Sequence, residues 1–183
     1  MRLFTGLDLP PDVVARLEEF LARLRPTARI SWSAPANLHI TTKFIGEWPE
    51  ERLGELQAAL AGVALRPPIA VHIRDTGFFP NVRAPRVFWC GIEAPGLEEL
   101  AGDIDRACGT LGIEPEKRRF SPHLTLARIK EGSDVKPLRE LAMAALRNPD
   151  FGEFGAGSFF LYRSQLRPTG SVYTKLAEFP LAK

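Results

Sequence analysis

Two histidines, each followed two positions later by a threonine, are the residues of this sequence best suited to chemistry: His39-Ile40-Thr41 and His123-Leu124-Thr125. On a strand, side chains two apart share a face, so each imidazole would stand beside a hydroxyl while Ile40 or Leu124 points the other way. Two imidazoles facing each other across a cleft suit in-line displacement at phosphorus, where one takes a proton from the attacking oxygen and the other gives one to the leaving oxygen. With an ordinary pKa of about 6.5, one histidine can be neutral and the other protonated near neutral pH. The hydroxyls of Thr41 and Thr125 can donate to non-bridging phosphate oxygens. Such chemistry calls for neither a metal nor a cofactor. One His-x-Thr alone is a weak signal, because threonine is a common strand residue. The weight lies in the distance between the two, 84 positions.

That spacing recurs along the chain. Arg2-Leu3-Phe4 returns as Arg86-Val87-Phe88, Pro11 as Pro95, and the helical stripe Val13, Leu17, Phe20, Leu24 as Leu97, Ala101, Ile104, Cys108. Beyond the histidines the register slips by one, with Leu53 and Leu56 answering to Leu138 and Leu141. A diverged duplication accounts for this; the bland alternative is that both histidines are satisfied core residues inherited with it. Each half reads as strand, helix, a strand carrying His-x-Thr, a second helix and further strands. Helices are predicted over residues 11–24, 49–63, 96–111 and 135–147. Strands are predicted over 3–9, 37–45, 69–73, 87–92, 121–129, 159–166 and 172–177. Pro10-Pro11, Pro67-Pro68, Pro80-Asn81 and Pro168-Thr169-Gly170 punctuate them. The expected fold is α+β: one two-lobed domain over 1–183, with pseudo-symmetric lobes, each an antiparallel or mixed sheet flanked by helices, and a cleft between them.

At 183 residues, 45% of them apolar, the chain can bury a sizeable core. The balance of 24 Lys+Arg against 22 Asp+Glu is too even to identify a nucleic-acid partner, so any basic patch must be local. Lys117-Arg118-Arg119, just before the second motif, is one candidate for guiding an RNA backbone. Cys90 and Cys108 lack CxxC spacing and read as reduced core residues. With no signal-peptide pattern and no apolar run of membrane-spanning length, a cytoplasmic location is expected. His72 falls on the polar side of an alternating strand and reads as surface. A zinc site of His39, His72 and His123 is disfavoured, since they include no short pair and no nearby Cys or acidic motif completes one.

The stretches Asn37-Leu38-His39-Ile40-Thr41-Thr42-Lys43-Phe44-Ile45-Gly46 and Phe120-Ser121-Pro122-His123-Leu124-Thr125-Leu126-Ala127-Arg128 closely resemble the two-histidine phosphoesterase superfamily. Within it, the resemblance is to the RNA 2′,3′-cyclic phosphodiesterases, also called 2′-5′ RNA ligases. It extends to the opening Arg2-Leu3-Phe4-Thr5-Gly6-Leu7 and the closing Leu161-Tyr162-Arg163-Ser164 and Pro168-Thr169-Gly170-Ser171-Val172-Tyr173. It implies a lobe containing both chain ends and a second lobe made from the middle. It also implies hydrolysis of 2′,3′-cyclic phosphates to 2′-phosphomonoesters and, in some members, reversible ATP-independent 2′-5′ joining of RNA ends. The expected partners are RNA ends or cyclic nucleotides as substrate, with no metal and no membrane, and the expected state is a monomer.

His39, Thr41, His123 and Thr125 match the family's catalytic motifs, with His39 assigned as proton donor and His123 as proton acceptor, although pseudo-symmetry lets these roles exchange. Phe44 and Arg128 match positions that in relatives approach the base and the phosphate. Each lies five residues beyond its histidine, where strict alternation aims a side chain away from the cleft unless a bulge or the strand's end redirects it. Core packing for Phe44 and a surface ion pair for Arg128 are the alternatives. Other readings of the whole are a phosphodiesterase for 2′-5′ oligoadenylate or a cyclic ADP-ribose phosphate, or a noncatalytic RNA-binding or nucleotide-binding module.

Overall fold

The computed structural model describes residues 1–63, 65–168 and 170–181. Its strands are β1 (Arg2–Leu7), β2 (Ser31–Trp32), β3 (Ile40–Glu47), β4 (Ile69–Phe79), β5 (Val87–Glu93), β6 (His123–Arg128), β7 (Asp150–Ala156), β8 (Ser158–Arg167) and β9 (Gly170–Pro180). Its helices are α1 (Pro11–Leu24), α2 (Leu53–Ala61), α3 (Leu97–Gly109) and the short α4 (Lys136–Glu140). The two longest follow their apolar stripes. Val13, Leu17, Phe20, Leu21 and Leu24 are buried along α1, and Leu97, Leu100, Ala101, Ile104 and Cys108 along α3. Pro11 opens α1, where its missing N–H costs nothing.

The strands form a four-stranded sheet in the order β3-β1-β8-β9 and a five-stranded sheet in the order β2-β6-β5-β4-β7. Every pairing is antiparallel, which removes the mixed-sheet alternative. The exchange between the two parts of the chain is reciprocal. β4, which follows α2, leaves to pair with β5, while β8, late in the chain, returns to pair with β1. The first and the last strand of the described residues therefore lie in the four-stranded sheet.

Helices cross as well. Arg16 of α1 donates through Nε to the Phe151 carbonyl of β7 at 2.7 Å, and Phe20 meets Phe151 edge to face, so α1 covers the five-stranded sheet. α3 belongs in sequence to β5 but packs on the four-stranded sheet. There Lys43 of β3, its side chain only 4% exposed, pairs with Asp105 of α3 at 2.6 Å and donates to the Glu114 carbonyl at 2.8 Å. A buried lysine is tolerable only with such partners.

Several boundaries differ from those expected, each for a local reason. Pro35–Asn37 form a 3-10 turn, so β3 starts at Ile40 and His39 stands just before it rather than inside it. The second helix begins as a 3-10 turn at Glu50–Arg52 behind Pro49, and the fourth ends early, passing into a π-helical turn at Leu141–Ala145. β4 continues to Phe79, past the expected end at residue 73. Asp75, with φ 60°, makes a bulge that breaks the alternation without ending the pairing. β7 is absent from the expected strands because Gly152, Gly155 and its charges give no strand-like pattern, and as an edge strand it needs little. Two-residue β2 is too short for any periodicity. β8 and β9 run beyond their expected ends. The expected break at Pro168-Thr169-Gly170 includes Thr169, which lies outside the described residues. Among the described residues, no helix is long and apolar enough to cross a membrane.

Replacing Asp105 by alanine should leave the Lys43 ammonium buried with a single carbonyl. The expected loss is about 3 kcal/mol of unfolding free energy, at the low end for broken buried pairs because Asp105 is itself partly exposed. Urea unfolding measures it, and a loss below about 1 kcal/mol would mean that Lys43 reaches solvent by itself.

Candidate functional site

The two His-x-Thr segments share one irregularity that decides where their side chains point. In β3, Thr5 pairs with Lys43 and Gly6 with Thr41, which leaves Thr42 as an extra residue. In β6, Phe88 pairs with Ala127 and Trp89 with Thr125, which leaves Leu126 extra. The bulges stand 84 positions apart, as the motifs do. Each buries two consecutive residues, Thr42 with Lys43 and Leu126 with Ala127, and so returns the next one to the face of the threonine. Phe44 is accordingly 57% exposed and lines the cleft, and Arg128 is exposed beyond Thr125. The core-packing alternative for Phe44 is thereby removed. Thr42 spends its hydroxyl on Thr5, oxygen to oxygen 2.7 Å, which satisfies the polar group its bulge buries.

Both imidazoles are held the same way. His39 Nδ1 lies 2.7 Å from the Asn37 carbonyl, and His123 Nδ1 lies 2.8 Å from the Ser121 carbonyl. A carbonyl only accepts, so each Nδ1 carries the proton, and each Nε2 is the nitrogen left for chemistry. His39 Nε2 is 3.0 Å from the Thr41 hydroxyl. Among the described residues, His123 Nε2 has no hydrogen-bond partner. Asn37 is fixed in turn, because its side-chain amide donates to the Ser171 carbonyl of β9 at 2.7 Å.

Aromatic rings back both histidines, and unequally. His39 lies against Phe4 (centroids 4.6 Å apart) and Tyr173 (5.2 Å, edge-on), and Phe4 stacks on Tyr162. His123 meets Phe79 edge-on at 5.4 Å, and Phe79 stacks on Trp89. Gly77 makes room for that second stack, since a Cβ there would fall 2.3 Å from the Trp89 indole. No sequence pattern points to Phe4, Phe79, Asn37 or Ser121 as supports. The only available signal is that Asn37 and Ser121 each stand two residues before a histidine.

The cleft has a volume of about 850 Å³, and its walls include Thr41, Phe44 and His123, with Phe79, Arg86 and Phe120. His39 sits half-buried behind Thr41. Burial pushes its pKa below the ordinary imidazole value, and the charges of Arg128 and His123 push it the same way. The Asn37 hydrogen bond and Asp8 oppose this without overcoming it. Arg128, on the five-stranded sheet, thus acts electrostatically on a histidine of the four-stranded sheet. Asp8 accepts from the Tyr162 hydroxyl at 3.1 Å and from Lys175. Burial and Asp8 drive the Tyr162 phenol strongly up, so it stays protonated and takes no part as a base.

The other singled-out residues are elsewhere. His72 is partly exposed on the polar side of β4, and its neighbours are the exposed Asp150 at 3.0 Å, Glu153 at 3.5 Å and Glu93 at 3.7 Å, not the other histidines. Cys90 and Cys108 are buried free thiols. Burial raises both, Cys108 to about 11, which leaves neither nucleophilic. Arg118 and Arg119 line the cleft interleaved with Glu98, Asp105 and Glu116.

Comparison with known proteins gives one family twice. The model described as "LigT like Phosphoesterase" matches residues 7–89 and again 92–173, one match on each His-x-Thr segment. A protein of Methanocaldococcus jannaschii named RNA 2′,3′-cyclic phosphodiesterase is 34% identical over 98% of this chain and 100% of its own length. The crystal structure of TT0787 of Thermus thermophilus superposes with a TM-score of 0.84, at 35% identity over 99% of this chain and 98% of that one. E. coli LigT complexed with 3′-AMP superposes with a TM-score of 0.77, at 28% identity over 100% of this chain and 98% of that one.

In the free protein, His39 should titrate below about 6.5, the ordinary imidazole value. An imidazole NMR titration reads this directly, with the His39→Gln variant assigning the resonance. Because the unfolded chain binds that proton more tightly, the buried imidazole also costs folding stability as pH falls from 6.5 through the depressed value. A midpoint at or above the ordinary value would show that the aromatic backing does not exclude water.

Proposed function

Because this chain belongs to the LigT-like phosphoesterase family, we propose that it hydrolyses 2′,3′-cyclic phosphate ends of RNA to 2′-phosphomonoesters, using His39 and His123 as its acid and base. The observation that carries this is the matched tethering of the imidazoles, each with Nδ1–H held by a carbonyl two residues upstream and Nε2 left for chemistry. Relatives named RNA 2′,3′-cyclic phosphodiesterase, about one third identical over nearly the whole chain, supply the substrate class. The chain would work as one two-lobed domain built on a duplicated unit, a reading that the family model's two consecutive matches support.

In this reading His123 Nε2 takes a proton from water as the water oxygen bonds to phosphorus. The P–O3′ bond breaks, and His39 Nε2–H protonates the departing O3′, leaving phosphate on O2′. The depressed pKa of His39 bears on the order of events. In the empty cleft at neutral pH the ring is neutral, and Thr41 donates to it. An anionic cyclic phosphate beside it favours the charged form. Once Nε2 is protonated it no longer accepts from Thr41, so the threonine's proton is free to turn to a non-bridging oxygen while Nε2–H is directed at O3′. Charging the acid and arming the hydroxyl are then one step, triggered by substrate. Arg128 would pair with the phosphate and Phe44 would stack on the terminal base. The same proton transfers, with a 5′-hydroxyl in place of water, would join RNA ends by a 2′-5′ bond, and their reversal would cleave that bond to restore the cyclic phosphate.

Incubating the protein with an RNA oligomer ending in a 2′,3′-cyclic phosphate, in the presence of a chelator, should yield a 2′-phosphate. His39→Ala and His123→Ala should each lower kcat by about 10²- to 10⁴-fold, the usual range for a general acid or base. Phe44→Ala should mainly raise KM, by roughly tenfold for the loss of a stacked base. An oligomer bound tightly but returned unchanged would make the chain a binding module instead, and activity surviving both histidine substitutions would overturn the mechanism.

A further inference from the structure

Beside the cleft lies a second pocket of about 290 Å³, between the loop that leaves β4 and the loop that leaves β6. We propose that it holds the backbone phosphates upstream of the reacting end, so that the protein is built for an RNA strand rather than a cyclic mononucleotide. This rests on the phosphodiesterase reading above and deepens it.

The charge of the pocket is the first argument. Arg83, Arg86, Lys130, Lys136 and Arg139 line it against only Glu131 and Asp134. The entire chain carries a net +2, so this corner concentrates positive charge that the rest of the surface cancels. Three of the five are committed elsewhere in part: Arg86 pairs with Glu131 at 2.9 Å, Lys136 pairs with Glu140 at 3.9 Å, and Arg139 donates to the Val82 carbonyl at 2.7 Å. Among the described residues Arg83 and Lys130 form no ion pair, and both are exposed.

Continuity with the cleft is the second. Arg86 lines both cavities. Its backbone pins the two loops together, with N donating to the Phe79 carbonyl at 2.6 Å and its own carbonyl accepting from Ile129 at 2.8 Å. The adjoining pair, Val87 with Arg128, is the last of the β5–β6 ladder. Arg128 itself lines neither cavity, but the next residue, Ile129, lines the second pocket, and Lys130 lies only two residues beyond Arg128, about 6 to 7 Å along an extended chain.

The opposite wall of the cleft is the third. Arg118 and Arg119 are there, but Glu98, Asp105 and Glu116 alternate with them, and Arg119 pairs with Glu98 at 3.4 Å. A polyanion leaving on that side meets as much repulsion as attraction. Leaving past Arg86, it meets an excess of cations. The run Lys117-Arg118-Arg119, conspicuous in sequence, is thus the weaker candidate for the RNA path.

The test compares adenosine 2′,3′-cyclic phosphate with an oligoadenylate hexamer bearing the same end, at low and at moderate salt. It uses the wild-type protein and an Arg83→Glu/Lys130→Glu double variant. The wild type should show a kcat/KM for the hexamer at least about tenfold above that for the mononucleotide. That advantage should shrink with salt by a log–log slope near about −0.7 for each phosphate held. The double variant should lose the advantage and keep the mononucleotide rate, which doubles as its test of folding. Equal kcat/KM for the two substrates in the wild type, or an advantage untouched in the double variant, would overturn the proposal. If neither substrate turns over, the phosphodiesterase reading itself fails, and the proposal with it.

Discussion

A strand repeats every two residues, and that period alone would scatter this site. With His39 and Thr41 on one face, residue 44 belongs to the other, and residue 128 stands in the same relation to His123 and Thr125. The extra residue that follows each His-x-Thr, Thr42 in one strand and Leu126 in the other, reverses the parity and returns the third side chain to the face of the hydroxyl. The cost is two consecutive buried side chains. Each strand meets it with the chemistry at hand: a Thr5–Thr42 hydrogen bond and a Lys43–Asp105 ion pair on one side, and plain aliphatic burial of Leu126 and Ala127 on the other. Bulges next to functional surfaces commonly re-aim a side chain in this way.

The bulged strands need a rigid mutual placement, and the chain's crossing connections supply it. Had each half formed its own sheet and helices, the two histidines would have sat on separate bodies joined by a hinge. Instead β8 completes the sheet begun by β1, β4 completes the sheet begun by β5, and α3 seals the β3 side through Lys43. The short connection from β2 to β3 adds a further tie. Ser33 donates to the Leu126 and Thr125 carbonyls on one sheet, and four residues later Asn37 grips both His39 and Ser171 on the other. A positioning error of an ångström matters greatly in proton transfer, so these ties bear directly on the proposed chemistry.

How much of this is legible in the sequence depends on whether the signal is local. The stripes of α1 and α3 and the paired His-x-Thr segments repeat at a fixed interval and can be read directly. So can the possibility of a bulge, since Phe44 and Arg128 are out of phase with their histidines. Its position cannot be read, because Thr42-Lys43 offers two polar residues where burial takes place, and the lysine's partner lies on a helix 62 residues away. The edge strand β7 and the continuation of β4 past Asp75 are stabilised by neighbours rather than by their own residues, and pattern reading is blind to that. The supports of the histidines are backbone carbonyls, which no residue type announces.

The two halves are alike in the backbone around their histidines and unlike in environment, and the difference falls on the pair that, in the proposed acid–base reading, must differ to work. Two identical imidazoles would compete for one proton. Here the phenyl of Phe4 and the rings of Tyr162 and Tyr173 crowd His39, whereas His123 has Phe79 on one side and opens into the cleft on the other. Arg128 adds a positive charge that acts on His39 from the facing sheet. Phe44 and Arg128 each stand two residues past their bulge, so the equivalent positions carry an apolar ring on one strand and a guanidinium on the other. A symmetric scaffold thus yields an asymmetric pair. The sense of the asymmetry follows from burial: the shielded histidine gains most from an arriving anion, because a charge brought into a poorly solvated place is felt most strongly.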